Sequence, residues 1–193
     1  MRTLIVNNIV SVDGFYAAED GNPLVLEMDG AFDGANLESI ESADVILLGR
    51  ASFDGFSSYW PFVADAPAPV DPEAPEARAV DEVNRGISRA YNRLPKVVVS
   101  DRGPIDPGNP WHGSTTVVAR DGVAEWVGRA KREGDGAIVV FASHVLWNAL
   151  LADGLVDELH LMVSPNPLGG GVPAFTAPAR LELLEGRTFP GSS

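Results

Sequence analysis

Three short segments carry residue types suited to holding an anion. Gly49-Arg50-Ala51-Ser52 follows directly on the apolar run Val45-Ile46-Leu47-Leu48. A glycine lets a ligand approach the backbone, a helix N-terminus favours negative charge, and Arg and Ser donate to phosphate. The same residues also make a plain strand-to-helix turn with a surface arginine. Phe141-Ala142-Ser143-His144 is a second strand end entering a helix. Its backbone N–H groups can hold a pyrophosphate, and its serine equally reads as an ordinary N-cap. Leu168-Gly169-Gly170-Gly171, after Pro165 and Pro167, is the third. Three glycines permit a close ligand approach or simply a turn. None of these is a GxGxxG or a GxxxxGK[ST] fingerprint, so neither a Rossmann site nor a P-loop is supported.

Acid–base candidates are fewer. Asp157 and Glu158 are neighbours at a strand start, so their side chains face opposite sides. A buried Glu158 acquires a raised pKa and a proton to give; such a residue also commonly satisfies backbone amides. Asp13-Gly14 carries the same ambiguity, because Asp-Gly is a routine turn. His112, His144 and His160 show no metal-ligand spacing, and no GxSxG elbow accompanies Ser143-His144. Trp60, Trp111, Trp126 and Trp147 read as core or interface rather than as a stacking platform.

Composition bounds the rest. The 193 residues are 45% apolar and 21% charged, an ordinary globular mixture of single-domain length. The net charge of −13 repels phosphate backbones, so nucleic acid is a poor partner, although a local basic pocket is compatible with it. The absence of cysteine excludes disulfides, thiolate metal sites and a cysteine nucleophile. The first residues lack a secretory apolar region and no run approaches 18 apolar residues. A cytoplasmic protein without a membrane span is the expectation.

These segments need strands and helices to position them. Residues 3–12 read as a strand, 31–43 as a short helix, and 45–48 as a strand buried on both faces. Residues 61–77 hold five prolines among acids and alanines and read as an exposed acidic loop. A helix over 78–91 presents Val80, Val83, Ile87 and Ala90 as one stripe. Strands follow at 96–100, 115–119 and 137–141, with a helix over 122–132 before the last of them. A helix over 144–152 and strands at 159–163 and 181–184 complete the chain. Alternating strands and helices predict an α/β domain with a mainly parallel sheet, and ligand sites at the carboxyl ends of its strands.

In order along the chain, these pieces resemble one family. Ser11-Val12-Asp13-Gly14-Phe15 resembles an S-x-D-G loop. Leu47-Leu48-Gly49-Arg50-Ala51-Ser52-Phe53 with Tyr59-Trp60-Pro61 is similar to an LLGRxTY…YWP segment. Asn92 to Ser100 resembles an NxxPKxVVS strand. Phe141 to Trp147, Gly154 to Leu159, and Leu168 to Gly171 follow in the family's order. The resemblance spans about residues 3–189 and is to the dihydrofolate reductase-like superfamily. The matching branch is the C-terminal reductase domain of the bifunctional riboflavin-biosynthesis deaminase/reductase.

The resemblance implies a three-layer α/β fold, NADPH as hydride donor, a small heterocyclic substrate and a homodimer. It implies that Gly49, Arg50 and Ser52 hold phosphates and that Ser100 and Arg102 lie near the adenosine 2′-phosphate. Ala142, Ser143, His144 and Val145 then supply the pyrophosphate-binding helix N-terminus. The loop from Val10 through Ala17 covers the nicotinamide. Glu158 faces the substrate pocket, and Asp33, on the helix before Gly49, is a second proton source. Ala142 stands where relatives usually have glycine, Asn166 and Pro167 replace an apolar pair, and the chain stops short of the relatives' final strand. Those departures also fit a nucleotide-binding or dimeric structural module without reductase activity. The deaminase half is absent, since its zinc site needs cysteine.

Overall fold

The computed structural model describes residues 1–71, 73–189 and 192. Two strands rich in Ile and Val lie at its centre, β1 (Thr3–Ser11) and β6 (Ala137–Phe141), the latter buried along its whole length. Around them stand β3 (Ala43–Gly49), β4 (Lys96–Val99), β5 (Thr115–Val118) and β7 (Glu158–Ser164). The sheet order is β5-β4-β3-β6-β1-β7, and every pairing in it is parallel. Short strands β2 (Phe15–Ala17) and β8 (Val172–Pro173) pair antiparallel as a separate ribbon.

Helices cover both faces, as parallel strands with crossovers require. The helices α1 (Gly30–Glu41), α2 (Arg50–Val63) and α3 (Glu82–Arg93) place Ile40, Phe53 and Ile87 in one core. The helices α4 (Val123–Arg132) and α5 (His144–Ala152) place Val127 and Leu150 in the other. Asp29 caps α1 through the amides of Ala31 and Phe32, and Asp81 caps α3 through that of Asn84. Among the described residues, no helix is long and apolar enough to cross a membrane.

The expected α/β architecture is present, with three corrections. The acidic segment 61–77 is not all loop: α2 runs through Pro61 to Val63, and a 3-10 helix spans Pro75–Val80. Side chains of α3 satisfy the carbonyls at the end of α2, around and beyond the proline. Ser88 Oγ donates to the carbonyl of Trp60, Asn92 Nδ2 to that of Pro61, and Arg85 to those of Val63, Ala64 and Ala66. Pro72 lies outside the described residues. The helix expected over 78–91 is instead that 3-10 turn followed by α3. Residues 181–184 form no strand: Leu181, Leu183 and Leu184 are exposed, and the chain runs on to α1, where Arg187 pairs with Glu38 at 3.0 Å. A strand needs a ladder partner, and the tail makes none with the outer edge of β7.

Candidate functional site

Parallel strands deliver all their carboxyl ends to one side of the sheet, and two helices begin there together. Unlike α1 and α3, neither α2 nor α5 has a side chain capping its first turn. Ser143 occupies the N-cap position of α5 without acting as the expected cap. Its Oγ instead accepts from the Gly49 amide at 3.0 Å, while its own amide donates to Ser52 Oγ at 3.0 Å. The two helix starts are thereby hydrogen-bonded to each other, and their partial positive charges add over one small surface. Gly49 sits against Ser143, 3.8 Å from where a Cβ would stand.

The turn between β6 and α5 is strained. Ala142 has φ 48° and Ser143 φ 54°, consecutive left-handed residues that are not glycine. Each such residue costs about 1–2 kcal/mol. Asn8 Nδ2 holds the turn by donating to the Ala142 carbonyl at 3.1 Å. Successive amides in such a turn make a concave, anion-favouring surface. The glycine-like conformation is therefore adopted here by an alanine.

Guanidinium groups lie on the β3–β5 side. Arg50 opens α2, paired with Asp54 at 2.9 Å and donating to the Gly103 carbonyl at 3.4 Å, which ties α2 to the loop after β4. In that loop Ser100 is buried and accepts the Arg102 amide at 3.0 Å, and the Arg102 side chain is exposed. Arg120, at the end of β5, pairs with Asp101 at 3.4 Å. Gly49, Arg50, Ser52, Ser100, Arg102, Ala142 and Ser143 thus belong to neighbouring loops at one end of the sheet. Val145 is exposed on the first turn of α5.

His144 does different work. Its Nε2 lies 2.9 Å from the Pro173 carbonyl and 3.0 Å from that of Ala174, so it carries the donor proton. Its ring stacks on Tyr16 at 4.7 Å. It fastens the β2–β8 ribbon over the start of α5. Val10 is buried in β1 opposite Val163, and Ala17 is buried in β2 opposite Val172. Asp13 accepts from Ser11 Oγ at 2.6 Å and from the Leu168 and Gly169 amides at 3.1 and 2.7 Å. The Ser11 hydrogen bond holds its carboxyl below the usual range, with the loop amides adding to the effect. Asp13-Gly14 is therefore a turn whose acid staples the glycine loop. Gly171 must be glycine, because a Cβ at its φ of 140° would meet the Ala17 carbonyl oxygen at 2.2 Å. Tyr16 and Asn8 also hold this region and gave no sequence signal beyond their polar types.

A family model described as RibD C-terminal domain matches residues 2–190. The chain belongs to the RibD C-terminal domain family. The uncharacterized protein YyaP of Bacillus subtilis (strain 168) is 25% identical over 194 residues, covering 97% of this chain and 89% of its own. A putative riboflavin biosynthesis protein from Shewanella sp. PV-4 superposes with a TM-score of 0.58 at 19% identity, covering 93% of this chain and 86% of that one. The diaminohydroxyphosphoribosylaminopyrimidine deaminase/5-amino-6-(5-phosphoribosylamino)uracil reductase of Thermotoga maritima gives 0.55 at 11% identity over 91% of this chain. RibD of Acinetobacter baumannii gives 0.53 at 15% over 97%. The chain spans about half of those two longer proteins, 48% and 52%. The fold is the dihydrofolate reductase-like one.

In this RibD-type domain the two candidate proton sources are not gathered with the loops just described. Asp33 is buried in the first turn of α1, where its Oδ2 accepts from Arg78 Nε at 2.6 Å and from Asn84 Nδ2 at 2.9 Å. It rivets the Pro75–Val80 segment to α1 and α3. Glu158 opens β7 opposite Ile5, at the amino end of the sheet's strands, half-buried and 2.9 Å from His160 Nε2. The register puts Leu161, not Glu158, opposite Asn8. At 3.3 Å per residue that leaves Glu158 about 10 Å short of the Asn8 level.

Proposed function

We propose that this domain is an NADPH-dependent reductase that transfers a hydride to a small heterocyclic compound. One observation carries the reading. Two uncapped helix starts, α2 and α5, are hydrogen-bonded side by side beside Arg50 at the carboxyl ends of a parallel sheet. That donor set fits a pyrophosphate: backbone amides, two hydroxyls and a guanidinium whose Nε is held by Asp54.

Within this reading Arg50 and the Ser52 hydroxyl face phosphate oxygens beside Gly49, and the amides of Ala142, His144 and Val145 supply the second half of the cradle, the Gly49 and Ser143 amides being held by Ser143 Oγ and Ser52 Oγ. Ser100 and Arg102 serve the 2′-phosphate, which favours NADPH over NADH. The ribbon holding Tyr16 and Ala17 lies over the nicotinamide end, fixed by His144 and Asp13. Bound NADPH supplies the hydride. The heteroatom of the reduced double bond needs a proton as well. We assign it to solvent water, because Asp33 is engaged by Arg78 and Glu158 by His160. Family likeness supports the same reaction class, and in this reading the substrate is a pyrimidine- or pterin-like compound of riboflavin or folate metabolism. A homodimer fits the outer edge of β7, unpaired among the described residues, and the exposed leucines of the tail.

The test is a titration of the full chain with NADPH and NADH, followed by thermal shift and intrinsic fluorescence. NADPH is expected to bind at least tenfold more tightly than NADH, and Arg102→Ala to remove most of that preference. No binding of either nucleotide at millimolar concentration refutes the proposal. Binding without turnover on any heterocycle would convert it to a nucleotide-binding module.

A further inference from the structure

The charges around the strand ends are divided in two. Arg50, Arg102 and Arg120 follow the ends of β3, β4 and β5 in turn. On the β6-β1-β7 side the chain holds neither Lys nor Arg between residues 3 and 49 or between 133 and 179. The segment after β1 carries instead Asp13, Glu19, Asp20, Glu27 and Asp29. One guanidinium reaches the end of that segment: Arg78, which pairs with Asp33 at 2.6 Å and donates to the Asp29 carbonyl at 2.8 Å.

A pocket of about 320 Å³ opens on this side. Ala18, Glu19 and Val25 line one wall, and Leu168, Gly169 and Gly170 the other. Its Ala18 follows directly on β2 of the ribbon that His144 fastens over α5, and we take that side as the end of the cradle where the proposed hydride would be delivered. Its walls are apolar and backbone, and Glu19 is their one charged side chain. The Glu19 carboxylate reaches within 3.8 Å of the position a Cβ would take on Gly170.

Resting on the reductase reading above, we infer that the compound reduced here is a neutral or cationic heterocycle that bears no phosphate. Three arginines lie on the half of the site assigned to the dinucleotide phosphates, Arg50 and Arg120 sharing theirs with Asp54 and Asp101, while the one that reaches the half assigned to the substrate, Arg78, is held by Asp33 and the Asp29 carbonyl. A phosphate dianion about 9 Å from a single carboxylate loses about fivefold in affinity in water, and salt weakens that effect. No lysine or arginine on these segments repays it. The Thermotoga maritima relative, by its name, reduces a phosphoribosyl compound. The charge layout here points to a different acceptor on the same fold.

Binding of matched pairs to the NADP-saturated full chain tests this. The pairs are a ribosylaminopyrimidine and its 5′-phosphate, and a pterin with and without a phosphate ester. The unphosphorylated member is expected to bind at least fivefold more tightly at low salt, with the gap narrowing as salt rises. Glu19→Lys reverses one charge and is expected to improve binding of the phosphorylated member about twentyfold at low salt. Tighter binding of the phosphorylated members by the unaltered protein overturns the inference, as does failure of every heterocycle to bind while NADP binds. Failure of the dinucleotide itself to bind is a separate result and removes the reductase reading.

Discussion

Replacing Ala142 by glycine should make the protein more stable. Ala142 sits at φ 48°, and the carbonyl of that turn is pinned by Asn8 at 3.1 Å, so the chain cannot relax out of the left-handed region without losing that bond. The conformation costs an L-residue about 1–2 kcal/mol. Glycine removes that cost and returns about 0.5–1 kcal/mol of it as extra entropy of the unfolded chain. The net expectation is about 0.5–1 kcal/mol of stabilisation, or about 1–4 °C in Tm for a chain of this size. Urea unfolding should show a higher midpoint at unchanged slope. Ala142→Val is the opposing control. A β-branched side chain is poorly tolerated at positive φ, and this variant should lose more than about 1 kcal/mol. If glycine lowers the midpoint, or valine leaves it unmoved, the turn after β6 is not left-handed and the anion cradle built on it fails too.

Ser143→Ala removes the acceptor of the Gly49 amide and should cost about 1–2 kcal/mol, with NADPH binding weakened about three- to tenfold; equal affinity in the variant would dissociate the two helix starts from the cofactor. Asp13, with its carboxyl held low by Ser11, keeps its staple above the ordinary carboxylate range and loses it only as pH falls through that lowered value. Protection factors for amide exchange at Leu168 and Gly169 should therefore hold at pH 5 and fall at more acid pH, whereas Asp13→Asn should show low protection throughout; protection that ignores pH would argue against the staple. Lys96 is buried, donates to Ser114 Oγ at 3.0 Å and lies 4.6 Å over the Trp111 ring, and burial pushes its ammonium down to about 8. Above that pH the folded protein has shed a proton that the unfolded chain still holds, so stability relative to Lys96→Met should rise between pH 8 and 10. A flat difference across that range would show that Lys96 keeps its charge in the fold.

Much of the sheet was legible because its strands are short runs of Val, Ile and Leu between turn residues. Runs such as 45–48 and 137–141 can only be buried on both faces, and a sheet of such strands must be parallel and covered by helices. The Gly49 and Ala142–Ser143 segments were legible for the same reason, since a strand end meeting a helix start is a property of local order. Pro61 misled, because local sequence cannot show that Ser88, Asn92 and Arg85 on another helix would complete the end of α2. Leu181–Leu184 misled in the opposite sense, because an alternating apolar run says nothing about whether a ladder partner is at hand.

The roles of individual polar residues needed the tertiary structure. Ser143 looks like a helix cap from its position alone, yet its hydroxyl meets an amide 94 positions earlier in the chain. Asp33 and Glu158 read as candidate proton donors; the fold sets Arg78 of the Pro75–Val80 segment against Asp33, and His160, two residues on along β7, against Glu158. Type and local spacing determined which elements form and where strand ends meet helix starts, because those depend on neighbours in sequence. Which hydroxyl faces which amide, and which carboxylate is already engaged, was decided by contacts between segments that only the folded chain brings together.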